Sequence, residues 1–119
     1  MRGFRSLKVW EKAHNLTLGV YRVTRNFPKE ELYGITGQIR RAASSVSANI
    51  AEGCGRTKAP DFARFLHIAM GSASELEYHI LLAHDLDLLA EEEYKGLAGQ
   101  VTEVKQMLTS LIRKVVADG

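Results

Sequence analysis

The 119-residue chain contains one cysteine, two prolines and one tryptophan, and these scarcities exclude several classes of protein. A lone Cys54 cannot close an internal disulfide, which rules out a disulfide-stapled fold and suits a reducing, cytoplasmic setting. No stretch approaches the roughly 20 apolar residues of a membrane span. The basic start MRGFRSL is not followed by an apolar run, so it does not read as a signal peptide. A cytoplasmic protein without membrane contact is expected.

The chemistry of common sites is also missing. No glycine-rich phosphate loop precedes a helix, and no segment reads as the strand that would support one. Four-helix bundles that hold two irons need Glu-x-x-His on two helices, and that spacing occurs only once here, at Glu11 and His14. Glu75 and His79 share one helical face, but two ligands without a matching pair make a weak metal site, so a partly exposed hydrogen-bonded pair is the plainer reading. Cys54 lies between two glycines past an expected helix C-terminus, where the dipole disfavours a thiolate while Arg56 and Lys58 favour one. It reads as a loop cysteine without a task. His14, His67 and His84 stand isolated. The expectation is therefore no catalytic residue, no cofactor, no metal and no enzymatic activity.

What is present is helical periodicity. The length suits one domain with one core, burying about two-thirds of its unfolded surface. Four helices are predicted, over about 7–26, 30–53, 60–89 and 92–117. Ser6 is placed to cap the first, in which Val9, Ala13, Leu16, Val20 and Val23 form an apolar stripe widened by Trp10 and Tyr21. Phe27-Pro28 stops it, because proline disfavours a helical conformation in the residue before it. The second carries Leu32, Ile35, Ile39, Ala43, Val46 and Ile50, and Gly53-Cys54-Gly55 should end it with a left-handed glycine cap. Pro60 opens the third at its first position, and Phe62, Phe65, Ala69, Leu76, Ile80, Ala83 and Leu86 mark its seam. The fourth repeats Tyr94, Leu97, Val101, Val104, Leu108, Leu111 and Val115 without a break, the strongest periodic signal in the chain. Short connections make neighbours antiparallel, so the expected fold is all-α, an up-down-up-down four-helix bundle. Ile68, Met70, Leu81, Leu82 and Leu88 fall off the seam of the third helix, and such surplus apolar surface points to another subunit.

Two polar features remain. Gln38, Arg41, Ser45, Asn49 and Glu52 line one face of the second helix, and Ser72, Glu75 and His79 make a comparable line on the third. Gln38, Ser45, Asn49, Glu52, Ser72 and Glu75 are read as an interhelical network that fixes register, because buried polar groups require partners. Charge is unevenly spread under a net +2: residues 1–58 hold 11 Lys+Arg against 4 Asp+Glu, and residues 59–119 hold 5 against 10.

The segment QIRRAASSVSANIAEG at 38–53 is similar to the signature of the four-helix bundle proteins encoded in intervening sequences of bacterial 23S ribosomal RNA genes. LKVW at 7–10, FP at 27–28, FLHIAMGS at 65–72 and ELE at 75–77 extend the resemblance over nearly the whole chain. The resemblance implies an antiparallel bundle assembled as a homopentameric ring. A related group, the accessory proteins of diversity-generating retroelements, has the same ring and binds nucleic acid and a reverse transcriptase.

Two functions compete on this basis. In the first the chain is a scaffold associated with RNA or DNA, with Arg22, Arg25, Arg40, Arg41, Arg56 and Lys58 supplying phosphate contacts. In the second it is a protein-interaction module, the basic half of one subunit facing the acidic half of the next, as the heterologous interface of a ring requires. Trp10 and Tyr21 read as core, leaving no base-stacking platform.

Overall fold

The computed structural model describes residues 3–119, and among them helices form without any strand. The four long helices are α1 (Lys8–Thr24), α2 (Gly37–Cys54), α3 (Ala59–Asp85) and α4 (Glu91–Asp118). Together they make a rod measuring 45 × 23 × 20 Å.

Contacts between helices establish the direction of each neighbour. The Thr17 hydroxyl lies 3.1 Å from the Ala43 carbonyl and Arg40 Nε donates to Thr24 Oγ1 at 2.8 Å, so numbers rise along α1 as they fall along α2. Ser45 meets Ser72 while Gly53 faces Phe62 and Phe65, reversing α3 against α2. Lys105 pairs with Glu77 and Glu91 with His84, reversing α4 against α3. Lys12 pairs with Glu103 and Gly19 abuts Leu97, which closes α4 against α1.

The core follows the predicted stripes with informative exceptions. Val9, Ala13, Leu16 and Val20 of α1, Ile39, Ala43, Val46 and Ile50 of α2, and Leu97, Val101, Val104 and Leu108 of α4 are buried. On α3 the buried line is Ala63, Leu66, Ala69, Ala73, Leu76, Ile80 and Ala83. Phe65, expected in that core, is only partly covered, and Leu66 takes its place with no exposure. Leu86 is also exposed, because α3 ends at Asp85, short of the expected 89. Tyr21 faces outward beneath the Arg40 guanidinium and is not a core aromatic, whereas half-buried Trp10 packs against the core and stacks on His14. Small residues at Ala42, Ala43, Ala69 and Ala73 let α2 and α3 approach closely.

Helix ends differ most from the sequence reading. Ser6 does not cap α1; its hydroxyl donates to the Gly3 carbonyl in a 3₁₀ turn over Phe4–Ser6, and Leu7 occupies the cap position. The stretch before α2 is not one helix from residue 30. A 3₁₀ turn at Lys29–Glu31 runs into a wide π turn at Leu32–Thr36, interrupted where Gly34 leaves helical dihedrals (φ −109°, ψ −122°). Gly55 ends α2 with φ −79°, and among the described residues no glycine is left-handed. Close packing accounts for Gly53 instead: a Cβ there would lie 2.9 Å from Phe62 Cδ1 and 3.0 Å from Phe65 Cβ. Cys54 is consequently not in a loop; it is buried as the last residue of α2. The left-handed residue is Asp87 (φ 61°), which turns the chain between α3 and α4, and the Glu93 carboxylate then accepts the Ala90 N–H at 2.9 Å to start α4.

Candidate functional site

The polar lines of α2 and α3 meet along one groove. Ser45 Oγ lies 2.8 Å from Ser72 Oγ, a hydroxyl pair that bridges the helices. Asn49 Nδ2 donates to the Ser45 carbonyl at 2.8 Å and to its hydroxyl at 3.0 Å, so Asn49 works within α2 and holds Ser45 in place. Glu52 does not join this group. It accepts from Arg56 at 2.8 Å, one turn on along its own helix. Gln38 lines the groove, as expected, and among the described residues its side chain makes no hydrogen bond. The register-fixing network thus reduces to Ser45, Asn49 and Ser72.

Toward the α2 N-terminus the groove widens into a cleft of about 420 Å³ lined by Gln38, Arg41, Ala42, Ser45, Glu75 and His79. His79 differs from expectation. Its ring is buried, with 8% of the residue exposed, and neither nitrogen has a hydrogen-bond partner among the described residues. Glu75 Oε2 stands 3.5 Å from Nε2, near enough for attraction between charges and too far for a good hydrogen bond. The Glu75 side chain is largely exposed at the rim. Arg41 is exposed and makes no ion pair within 4 Å among the described residues. Among the described residues no group of three or more His, Cys, Asp or Glu is arranged to hold a metal ion.

The six basic residues proposed for phosphate contact are not brought together. Arg41 lies near the start of α2 and Arg56 just past its end at Cys54, about 20 Å apart at 1.5 Å per helical residue. Arg22, Arg25, Arg40 and Arg41 lie toward one end of the bundle, and Arg56 and Lys58 toward the other. Arg40 is already committed to the Thr24 hydroxyl and the Tyr21 ring, and Arg56 to Glu52 and the face of Phe65, with its guanidinium carbon 4.6 Å from the ring centre. Arg22, Arg25, Arg41 and Lys58 stay exposed. The sequence reading missed Lys8 and Lys114, which share an open groove of about 460 Å³ between the start of α1 and the end of α4. Lys114 and Arg56 also flank a neighbouring hollow beside Cys54, so the bundle end holding the α2–α3 turn gathers Lys8, Arg56 and Lys114. Antiparallel pairing makes this cluster, and no spacing along the chain announces it.

His84 was also read as isolated and is not. It stacks on Tyr94 at 3.9 Å, with Nε2 3.0 Å from Glu91 and Nδ1 3.5 Å from Asp85. The hydrogen bond to Glu91 raises its pKa above the usual histidine value, against the opposing effect of desolvation, and the charges of Glu91 and Asp85 add to the rise.

Apolar side chains exposed on the outside complete the picture. Ile68, Tyr78 and Leu81 project from α3, Leu86 follows its end, and Leu32 and Tyr33 project from the turn before α2. Met70, Leu82 and Leu88, expected among the surplus, instead pack partly against the core. The two charged halves barely pair within the chain: Lys12–Glu103, at 3.4 Å, is the one ion pair between them among the described residues.

Comparison with known proteins follows the same lines. The family model of the 23S rRNA-intervening sequence protein matches residues 5–110. The chain is similar to a crystal structure of a protein of unknown function from the S23 ribosomal protein family of Bacteroides thetaiotaomicron VPI-5482. Identity is 26%, with 88% of this chain and 95% of that one covered and a TM-score of 0.82. No curated protein matches the chain. Among the described residues no helix is long and apolar enough to cross a membrane.

Proposed function

The chain belongs to the 23S rRNA-intervening sequence protein family, and on that premise we propose that it is a non-enzymatic, homo-oligomeric scaffold, assembled as a ring of five. The observation that carries the reading is the outward face of α3. Tyr78 is 56% exposed and Leu81 43%, and they continue the line of Gly71 and Ser74 at alternating spacings of three and four. A large aromatic and a leucine beside the small Gly71 and Ser74 offer a second helix both apolar area and close approach. The unpaired charges support the same reading. A basic α1–α2 side and an acidic α3–α4 side are two different, complementary surfaces, as a head-to-tail ring needs.

Replacing Tyr78 and Leu81 together by glutamate tests this. The double variant should keep its helicity and fall to the mass of one chain in light scattering. An unchanged assembled mass would place the interface elsewhere.

A second reading, association with RNA or DNA, is supported by Lys8 and Lys114, clustered in the open groove at one end of the bundle. A ring would repeat that cluster at fixed spacing, and several weak phosphate contacts so held act as one multivalent site. Lys8→Glu with Lys114→Glu should abolish any salt-sensitive binding of structured RNA, whereas Arg40→Glu should leave it intact. Intact binding in the double variant would remove this cluster from the account.

A further inference from the structure

We propose that the groove between the start of α1 and the end of α4 receives Tyr33 of a second copy of this chain. The inference rests on the self-association put forward above and names two surfaces that meet in it. Tyr33 is 95% exposed and its neighbour Leu32 46%. Among the described residues the Tyr33 ring stacks on no other ring and lies under no cation. A tyrosine and a leucine projecting side by side from one turn have the form of an anchor that fills a partner's pocket. Leu86 is exposed at the same end of the rod, where α3 finishes and α2 begins.

The groove supplies what this anchor lacks. Its floor is Leu7, Val9, Met107 and Leu111, an apolar surface in a hollow of about 460 Å³. Gln106 and Ser110 also line it and can bond the phenol hydroxyl once the ring is covered. Lys8 and Lys114 complete the lining, both exposed and neither in an ion pair within 4 Å among the described residues, and the lining holds no carboxylate. On the other side Glu30 and Glu31 precede Leu32, outnumber Lys29 and have no ion partner within 4 Å among the described residues. Exposed Asp85 and Asp87 flank Leu86. Apolar side chains among carboxylates thus match an apolar floor between ammonium groups. Phosphate would engage the two lysines and leave the floor uncovered. Distance excludes a contact within one chain, because the 17 residues of α1 set the groove about 25 Å from the turn that holds Tyr33. The contact therefore joins unlike ends of two copies, a heterologous interface that leaves a free Tyr33 and a free groove for further copies.

Cysteine cross-linking reads this contact, whereas sedimentation reads only mass. Tyr33→Cys and Ser110→Cys are introduced together in the full chain, with each single variant as a control. A disulfide needs Cα atoms within about 7 Å, so the two positions cannot join inside one chain. Mild oxidation of the double variant should give a ladder of covalent multimers on a non-reducing gel, and the single variants should not pass a dimer. Tyr33→Ala, which trims an exposed side chain, should raise the concentration at which the assembly dissociates by about tenfold or more, as loss of an aromatic anchor does. Lys8→Glu with Lys114→Glu should weaken assembly as well, and adding Glu30→Lys and Glu31→Lys should restore it. An assembled mass without the ladder, or assembly indifferent to Tyr33→Ala, overturns the docking and leaves the scaffold reading standing. A monomer at every concentration removes the scaffold reading and the docking with it. A Lys8→Glu, Lys114→Glu protein that keeps its assembled mass and loses RNA binding overturns the docking in favour of phosphate.

Discussion

The same glycine-to-alanine change should have opposite signs at two places in this bundle. Inside a helix, alanine is favoured over glycine by about 0.5–1 kcal/mol, because glycine loses more backbone freedom on folding. At Gly99 of α4 a new methyl group meets nothing within 4 Å, so Gly99→Ala should realise that gain. At Gly53 of α2 the methyl would sit 2.9 Å from Phe62 Cδ1, 3.3 Å from Phe62 Cε1 and 3.0 Å from Phe65 Cβ. The Phe62 ring can rotate a little. Phe65 Cβ is tied to the α3 backbone, so relief there requires the helices to separate. Overpacking of this kind costs about 1–3 kcal/mol and outweighs the propensity gain, leaving Gly53→Ala destabilising by about 1 kcal/mol. For a domain of this size that corresponds to a melting temperature lowered by roughly 3–5 °C, with Gly99→Ala raised by a few degrees. Urea titration followed at 222 nm gives both free energies in one assay. If Gly53→Ala matched Gly99→Ala in raising stability, the α2–α3 separation described here would be wrong.

Other outcomes follow from the same contacts. Val46, fully buried between small residues, should not tolerate aspartate; Val46→Asp should abolish the cooperative melt, and a native-like melting temperature would refute the α2 register. Asn49→Ala should cost about 1 kcal/mol through its lost bonds to Ser45, whereas exposed Glu52→Ala should stay within about 0.5 kcal/mol of the parent in the same titration. The raised pKa of His84 means that its protonated form favours the folded state. That contribution is complete below the unfolded value of about 6.5 and is lost as pH rises through the folded one, so His84→Gln should flatten the melting temperature over that window.

Much of the fold was legible because helical periodicity survives local irregularity. The unbroken stripe of α4 places Leu97, Val101, Val104 and Leu108 in the core, where they are found. Helix ends were harder, since they depend on single contacts: Ser6 turns back to Gly3, and Gly34 breaks a stretch whose apolar spacing reads as continuous. Phe62 and Phe65 were placed on the α3 seam, yet its first turns run through Ala63 and Leu66 before it rejoins the expected Ala69, Leu76, Ile80 and Ala83. Of the candidate site, the two polar lines could be read from spacing, and their meeting at Ser45 and Ser72 is set by how α2 and α3 pack. The burial of His79, the company of His84 and the Lys8–Lys114 groove could not, because each joins residues from different elements or depends on how deeply a helix face sits.

The scaffold reading is tested most directly by the mass of the native protein in sedimentation velocity at micromolar concentration, in low salt and again in high salt. Apolar contacts through α3 should hold the assembly in both, at five times the 13.2 kDa of one chain, because salt screens charge pairs and leaves apolar burial intact. A single species of 13.2 kDa in low salt would contradict the account.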